Sequence, residues 1–181
     1  MGLRDYSTQE RLNKMNVELV DREILGIDDG NAYLSDDLFF LPVAVPIIEN
    51  AKNSSIIIQS VAVIGQSADG DETGDFDIVV LSANPGLLKA GPALMAVNDP
   101  MSGNTTAHEF MDAFCGVINI TNMTDVGTTS VIGSATNIGM VVKPQVAGGI
   151  YMYIFGITRA AATWASSTMT IRFGIVRDQC F

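Results

Sequence analysis

From residue 38 onward, short apolar runs alternate with clusters of Gly, Asn, Asp and Pro, the pattern expected of an all-β antiparallel sandwich or barrel. Residues 55–64 carry six β-branched side chains (Ile56, Ile57, Ile58, Val61, Val63, Ile64), which favour extended backbone, and lead towards the acidic, glycine-bearing stretch 69–75. That combination predicts a strand running into an exposed loop. In residues 76–81 apolar side chains occupy both phases of the alternation, so this strand should be covered on both faces. Residues 137–143 and 150–158 form two more runs, and the turn-rich sequence 144–149 between them predicts a hairpin with a slightly long loop. The last run places Met169, Ile171, Phe173 and Ile175 on one face and Thr170 and Arg172 on the other, as in a half-buried strand. Only residues 9–15 and 106–114 invite short helices, the second with Thr105 or Thr106 as N-cap and Glu109 in its first turn.

Residues 1–35 read differently: polar, charged and weakly periodic up to the turn-like cluster 28–31. They form either an N-terminal arm or an element packed on the domain, a helix or an edge strand, and residues 36–181 form a single sandwich domain. Hydrophobic residues make up 48% of the chain and charged residues only 17%, so some apolar surface is expected to be hidden against neighbouring subunits. The formal net charge of −10 repels nucleic-acid phosphates, which argues against a nucleic-acid partner. The first fifteen residues have no apolar core of a secretory signal, and the most apolar stretch, 38–48, is interrupted by Pro42 and Pro46 and falls short of the roughly 18 residues of a spanning helix. A soluble protein made in the cytoplasm, with no membrane contact, is the expectation.

The chemistry that could reside here is limited. A single histidine, His108, excludes any site needing two or three imidazoles, and no GxSxG elbow accompanies it, so no catalytic residue is assigned and the chain is expected not to be an enzyme. Asp69, Asp71, Thr73 and Gly74 match positions one, three, five and six of a calcium loop, but position twelve is Val80. Without the bidentate glutamate the loop is better read as a solvated turn, with Asp69, Asp71 and Asp75 as weak calcium candidates and no cofactor expected. Cys115 and Cys180 lack the spacing of a metal site or disulfide framework, and Cys115 reads as a buried core thiol. Tyr151, Met152, Tyr153, Phe155 and Trp164 read as core or oligomer contacts. Arg159 and Arg172, set in apolar strands, are candidates for salt bridges within the domain or between subunits, or for a solvated face.

The order of short patterns over residues 54–178 resembles small virion-associated proteins of tailed bacteriophages: residues 76–81 (FDIVVL), 114–120 (FCGVINI), 137–142 (NIGMVV), 150–159 (IYMYIFGITR), Thr163-Trp164 and 169–174 (MTIRFG). The resemblance implies a jelly-roll-like β-sandwich that decorates or cements the capsid exterior, bound to the major capsid protein. It also implies a homotrimer with an N-terminal segment gripping the shell. The alternatives are another head component, such as a fibre base or head–tail connector element, or a sandwich module recognising carbohydrate or a host surface.

Overall fold

The computed structural model describes residues 17–25, 27, 32–47, 55–66, 74–87, 93–103, 112–121, 123–126, 130–144, 150–164 and 168–177. Eleven strands lie among them: β1 (Val17–Leu25), β2 (Ala32–Tyr33), β3 (Leu38–Pro46), β4 (Ile56–Gln66), β5 (Phe76–Leu81), β6 (Phe114–Ile120), β7 (Thr124–Asp125), β8 (Ser130–Val142), β9 (Tyr151–Thr158), β10 (Ala162–Thr163) and β11 (Thr168–Arg177). They form a five-stranded sheet in the order β1-β11-β4-β8-β7, a four-stranded sheet in the order β3-β9-β5-β6, and a β2–β10 ribbon, with every pairing antiparallel. Numbering only the eight long strands in chain order, one sheet reads first, eighth, third, sixth and the other second, seventh, fourth, fifth. This is a long antiparallel ribbon rolled up so that its partners, first with eighth, second with seventh, third with sixth and fourth with fifth, fall alternately into two layers: a jelly roll.

The core fills the space between the layers. β4 contributes Ile56, Ile58, Val61 and Val63, β11 contributes Met169, Ile171 and Phe173, and facing them are Phe76, Ile78 and Val80 of β5 with Met152 and Ile154 of β9, all buried. Ile58 and Val61 have opposite parity yet both point inward, because the β4–β11 register shifts by one residue at Gln59. At the same level β8 bulges away from β4 through Asn137 and Gly139, whose φ angles of 58° and 64° are left-handed. One end of the sandwich is filled by a ring cluster in which Phe39 lies 4.6 Å from Trp164, 4.8 Å from Phe76 and 5.5 Å from Tyr33 between centroids. Gly156 is required beside it, since a Cβ there would run into the Phe40 ring.

Several sequence expectations change. Residues 137–143 and 150–158 do not form a hairpin: the first run is the end of β8, in the five-stranded sheet, and the second is β9, in the centre of the other, so the connection crosses between layers. A strand apolar on both faces suits the middle of a covered sheet better than pairing with the half-exposed β8. Residues 9–15 lie outside the described residues, as do 104–111. Of the expected helix at 106–114 the structure shows only a helical pair, Asp112–Ala113, before Phe114 opens β6, and a short 3-10 turn sits at Met101–Gly103. Within the N-terminal region, Val17–Leu25 pairs along its whole length with β11 as an edge strand. Cys115 is half-buried on the edge strand β6 rather than in the core, and burial raises its thiol pKa.

Candidate interaction surface

The two sheets treat their outward faces oppositely. On the four-stranded sheet Val79 and Leu81 of β5 and Phe155 of β9 point away from the inter-sheet core yet are no more than 2% exposed. The described parts of the connection between β5 and β6 lie beside β3 of this sheet and bring Leu87 and Met95 into the same apolar cluster. Backbone hydrogen bonds tie the connection down: the Leu38 N–H donates to Asp99 O (2.9 Å), Asn98 N–H to Leu38 O (2.8 Å) and Met101 N–H to Asp36 O (3.0 Å). The Ser82 N–H donates to Ala113 O at 2.8 Å and closes its base. Two residues hold the turn at its side: Asp37, buried, accepts the Leu34 N–H at 2.7 Å, and Thr158, also buried, donates its hydroxyl to Leu34 O. A cleft of about 240 Å³ remains between the connection and the β3 bulge, walled by Leu41, Pro42, Leu87, Leu94 and Met95.

The outward face of the five-stranded sheet has no such cover among the described residues. Cross-strand register places Leu19, Gly174, Ser60 and Thr136 in one row, Asp21, Arg172, Ala62 and Ser134 in the next, and Glu23, Thr170, Ile64, Ile132 and Thr124 in a third. None of these side chains is buried except at Gly174, and Leu19 is 63% exposed. Small side chains and hydroxyls (Ser60, Ala62, Ser134, Thr136) occupy its middle strands, and a Cβ at Gly174 would meet the Ser60 hydroxyl. Its middle charges cancel: Arg172 grips Asp21 with Nε to Oδ1 and an NH2 nitrogen to Oδ2, both at 2.7 Å. That hydrogen bonding is the main cause of the lowered Asp21 pKa, with the Arg172 charge adding to it. Arg177 meets Glu18 at 2.5 Å on the opposite, inward phase of the same two strands. An exposed surface with few charges, one pair of them cancelled, and with Ile64 beside Ile132 in the register is suited to lying against another protein surface.

The residues singled out in the sequence do not converge on a reaction. Asp69, Asp71 and His108 lie outside the described residues. The Asp75 carbonyl accepts the Arg159 N–H at 3.0 Å, while the Arg159 Nε contacts Asp77 Oδ1 at 2.7 Å and Asn119 donates to the same oxygen at 2.7 Å. Arg159 and Arg172 therefore both make salt bridges within the domain. Among the described residues no group of three or more His, Cys, Asp or Glu is placed to hold a metal, and no helix is long and apolar enough to cross a membrane. Met152, Phe155 and Trp164 are core residues, whereas Tyr151 is 42% exposed. Sequence reasoning passed over the open face. Its signal lay in the alternate small and hydroxyl positions of β4 and β8 (Ser60, Ala62, Ser134, Thr136), interleaved with buried Val61, Val63 and Val131.

No family model matches this chain, and no curated protein matches it. Among solved structures it is similar to a chain of a full particle of Israeli acute paralysis virus heated to 63 degrees, at 8% identity and a TM-score of 0.35, covering 99% of this chain and 81% of that one. It is also similar to a chain of the native virion of Kashmir bee virus at acidic pH, at 11% identity and a TM-score of 0.33, covering 99% and 80%. Likeness at these scores leaves the function to be argued from this chain's own residues.

Proposed function

We propose that this protein is a structural component of a virion that works by docking, and specifically that it decorates or cements the exterior of a capsid. The observation that carries this reading is the contrast between the two outward faces. One is buried under the protein's own chain, and the other is left exposed among the described residues, with few charges for a molecule of net charge −10. Jelly rolls are a fold of viral capsid and lectin domains, which makes the reading available without singling it out. The acidic balance favours an outer position, away from packaged nucleic acid. The sequence resemblance to tailed-phage virion proteins points the same way. In this reading the partner is a major capsid protein, the working form is a trimer, and neither catalysis nor a cofactor is involved.

The test is to load preassembled empty capsids with the intact protein and with Ala62→Arg/Ser134→Arg, which places two large cations in the middle of the open face. Shell binding should be lost while the free protein stays folded, its thermal midpoint lowered only by the repulsion between the opposed cations on β11, β4 and β8. Equal binding by the variant would remove the face from the argument. Binding to glycans with none to capsids would transfer the protein to the carbohydrate-recognition alternative.

A further inference from the structure

An open sheet edge is a template for pairing with another chain unless charge, proline, a bend or shortness blocks it. Three of the four edges of the two long sheets are blocked. β1 carries Glu18, Asp21, Arg22 and Glu23 within its nine residues. β3 carries Pro42 and Pro46 and shifts register twice against β9. β7 is two residues long, and the length of β8 that it leaves open is bent at the left-handed Asn137 and Gly139. β6 is different. Its sequence, FCGVINI, holds no charge and no proline, its one register shift falls at the start, and residues 116–120 pair in unbroken register with residues 76–80 of β5.

The side chains of this edge fit the same use. Val79 and Val117 stand opposite each other on the outward phase of β5 and β6, yet Val79 is 2% exposed and Val117 41%. The apolar row of this face is therefore unfinished at its edge. The charge beside it is already neutralised, since Asp77 meets Arg159 at 2.7 Å. On the inward phase Ile118 is buried and a Cβ at Gly116 would run into the Met140 side chain of β8, so core packing holds the edge in place. We propose that β6 pairs antiparallel with β6 of a second copy across a two-fold axis at Val117, joining two four-stranded sheets into one of eight. Each copy has a net charge of −10, and β6 is the long edge at which two such molecules meet with no charged residue on either strand. An axis at Val117 sets the two exposed valines against each other, Gly116 against Ile118 and Cys115 against Asn119. The apolar row then continues from one copy into the next. Such a contact is isologous and closed, and separate from any three-fold contact. This inference is independent of the capsid reading.

Like charges directly opposed across an antiparallel pair repel and opposite charges attract, so position 117 can be set to forbid or restore the pairing. Wild type, Val117→Lys, Val117→Glu and an equimolar mixture of the two variants, one of them isotope-labelled, are compared by sedimentation and native mass spectrometry up to millimolar concentration. Thermal melting checks that each variant is folded. The expected result is that wild type forms, with rising concentration, a species of twice the mass of its smallest form. Each variant alone loses that species, and the mixture regains it with labelled and unlabelled chains in equal number. Wild type that keeps its smallest mass throughout overturns the proposal, as does doubling of either folded variant alone to the wild-type extent. Loss in each variant with no recovery in the mixture overturns the two-fold axis at Val117. Wild type that stays undoubled while the Val117 variants lose capsid binding assigns the edge to the capsid partner and excludes the second copy. The capsid reading can fail without altering the sedimentation outcomes.

Discussion

The outward faces of the two sheets have the same backbone geometry and opposite fates. Val79, Leu81 and Phe155 on one are as buried as inter-sheet residues, while on the other Ser60 and Ala62 are partly exposed and Ser134 and Thr136 exposed. The difference is not in the strands alone. The described parts of the β5–β6 connection add Leu87 and Met95 to the buried cluster on that side. A face of large apolar residues demands a cover, and a face of small and hydroxyl residues tolerates water until a partner arrives. Burial within the chain and burial between chains are solved separately on the two sides of one sandwich.

Substitutions that attack the sealed face should be the most costly. Phe155→Ala removes a fully buried ring and is expected to destabilise by about 3–5 kcal/mol, read as a fall in denaturant midpoint at constant slope. Met95→Ala, which thins the cover, should cost about 2–3 kcal/mol, towards the low end for a buried methionine because the connection has room to settle into the adjoining cleft. If it costs nothing, the connection is not what seals this face. On the open face, Ile64→Ser/Ile132→Ser should move stability by less than about 1 kcal/mol, both side chains being more than a third exposed, while weakening capsid docking. A large loss of stability there would show that the face is already covered.

The smallest effect concerns pH. The folded-state pKa of Asp21 is depressed, so the stabilisation it provides is present above the carboxylate's unfolded value and is lost as pH falls through the folded one. Wild type and Asp21→Asn should therefore differ most at neutral pH and converge in acid, which a pair of pH-resolved melting series would show. Because the pair is exposed, the neutral-pH gap should be near the limit of detection. A gap that widens in acid would reverse the assigned sign.

Much of the layer structure was legible in the chain. The alternation in 169–176, the β-branched run that became β4 and the two-phase apolarity of 76–81 each follow from side-chain period and the need to bury one face or both, and each is seen in β11, β4 and β5. For Arg159 and Arg172 the sequence leaves salt bridge and solvated face open, and the structure shows both at once: each is ion-paired and each is partly exposed, with acids, Asp77 and Asp21, that only pairing distant in sequence brings near. The hairpin expected at 137–158 failed for the same reason. Local turn chemistry says that the chain reverses, but not whether it returns to the same sheet or to the one opposite.

By itself, then, the sequence determined the strands at 56–66, 76–81 and 168–177, the sandwich class and the scarcity of chemical motifs, because those depend on periodicity and composition. The tertiary structure alone decided the jelly-roll strand order, the burial of one outward face and the pairing of β1 with β11. Each of these rests on contacts between residues far apart in the chain, where the free energy of packing belongs to the pair and is written in neither segment alone.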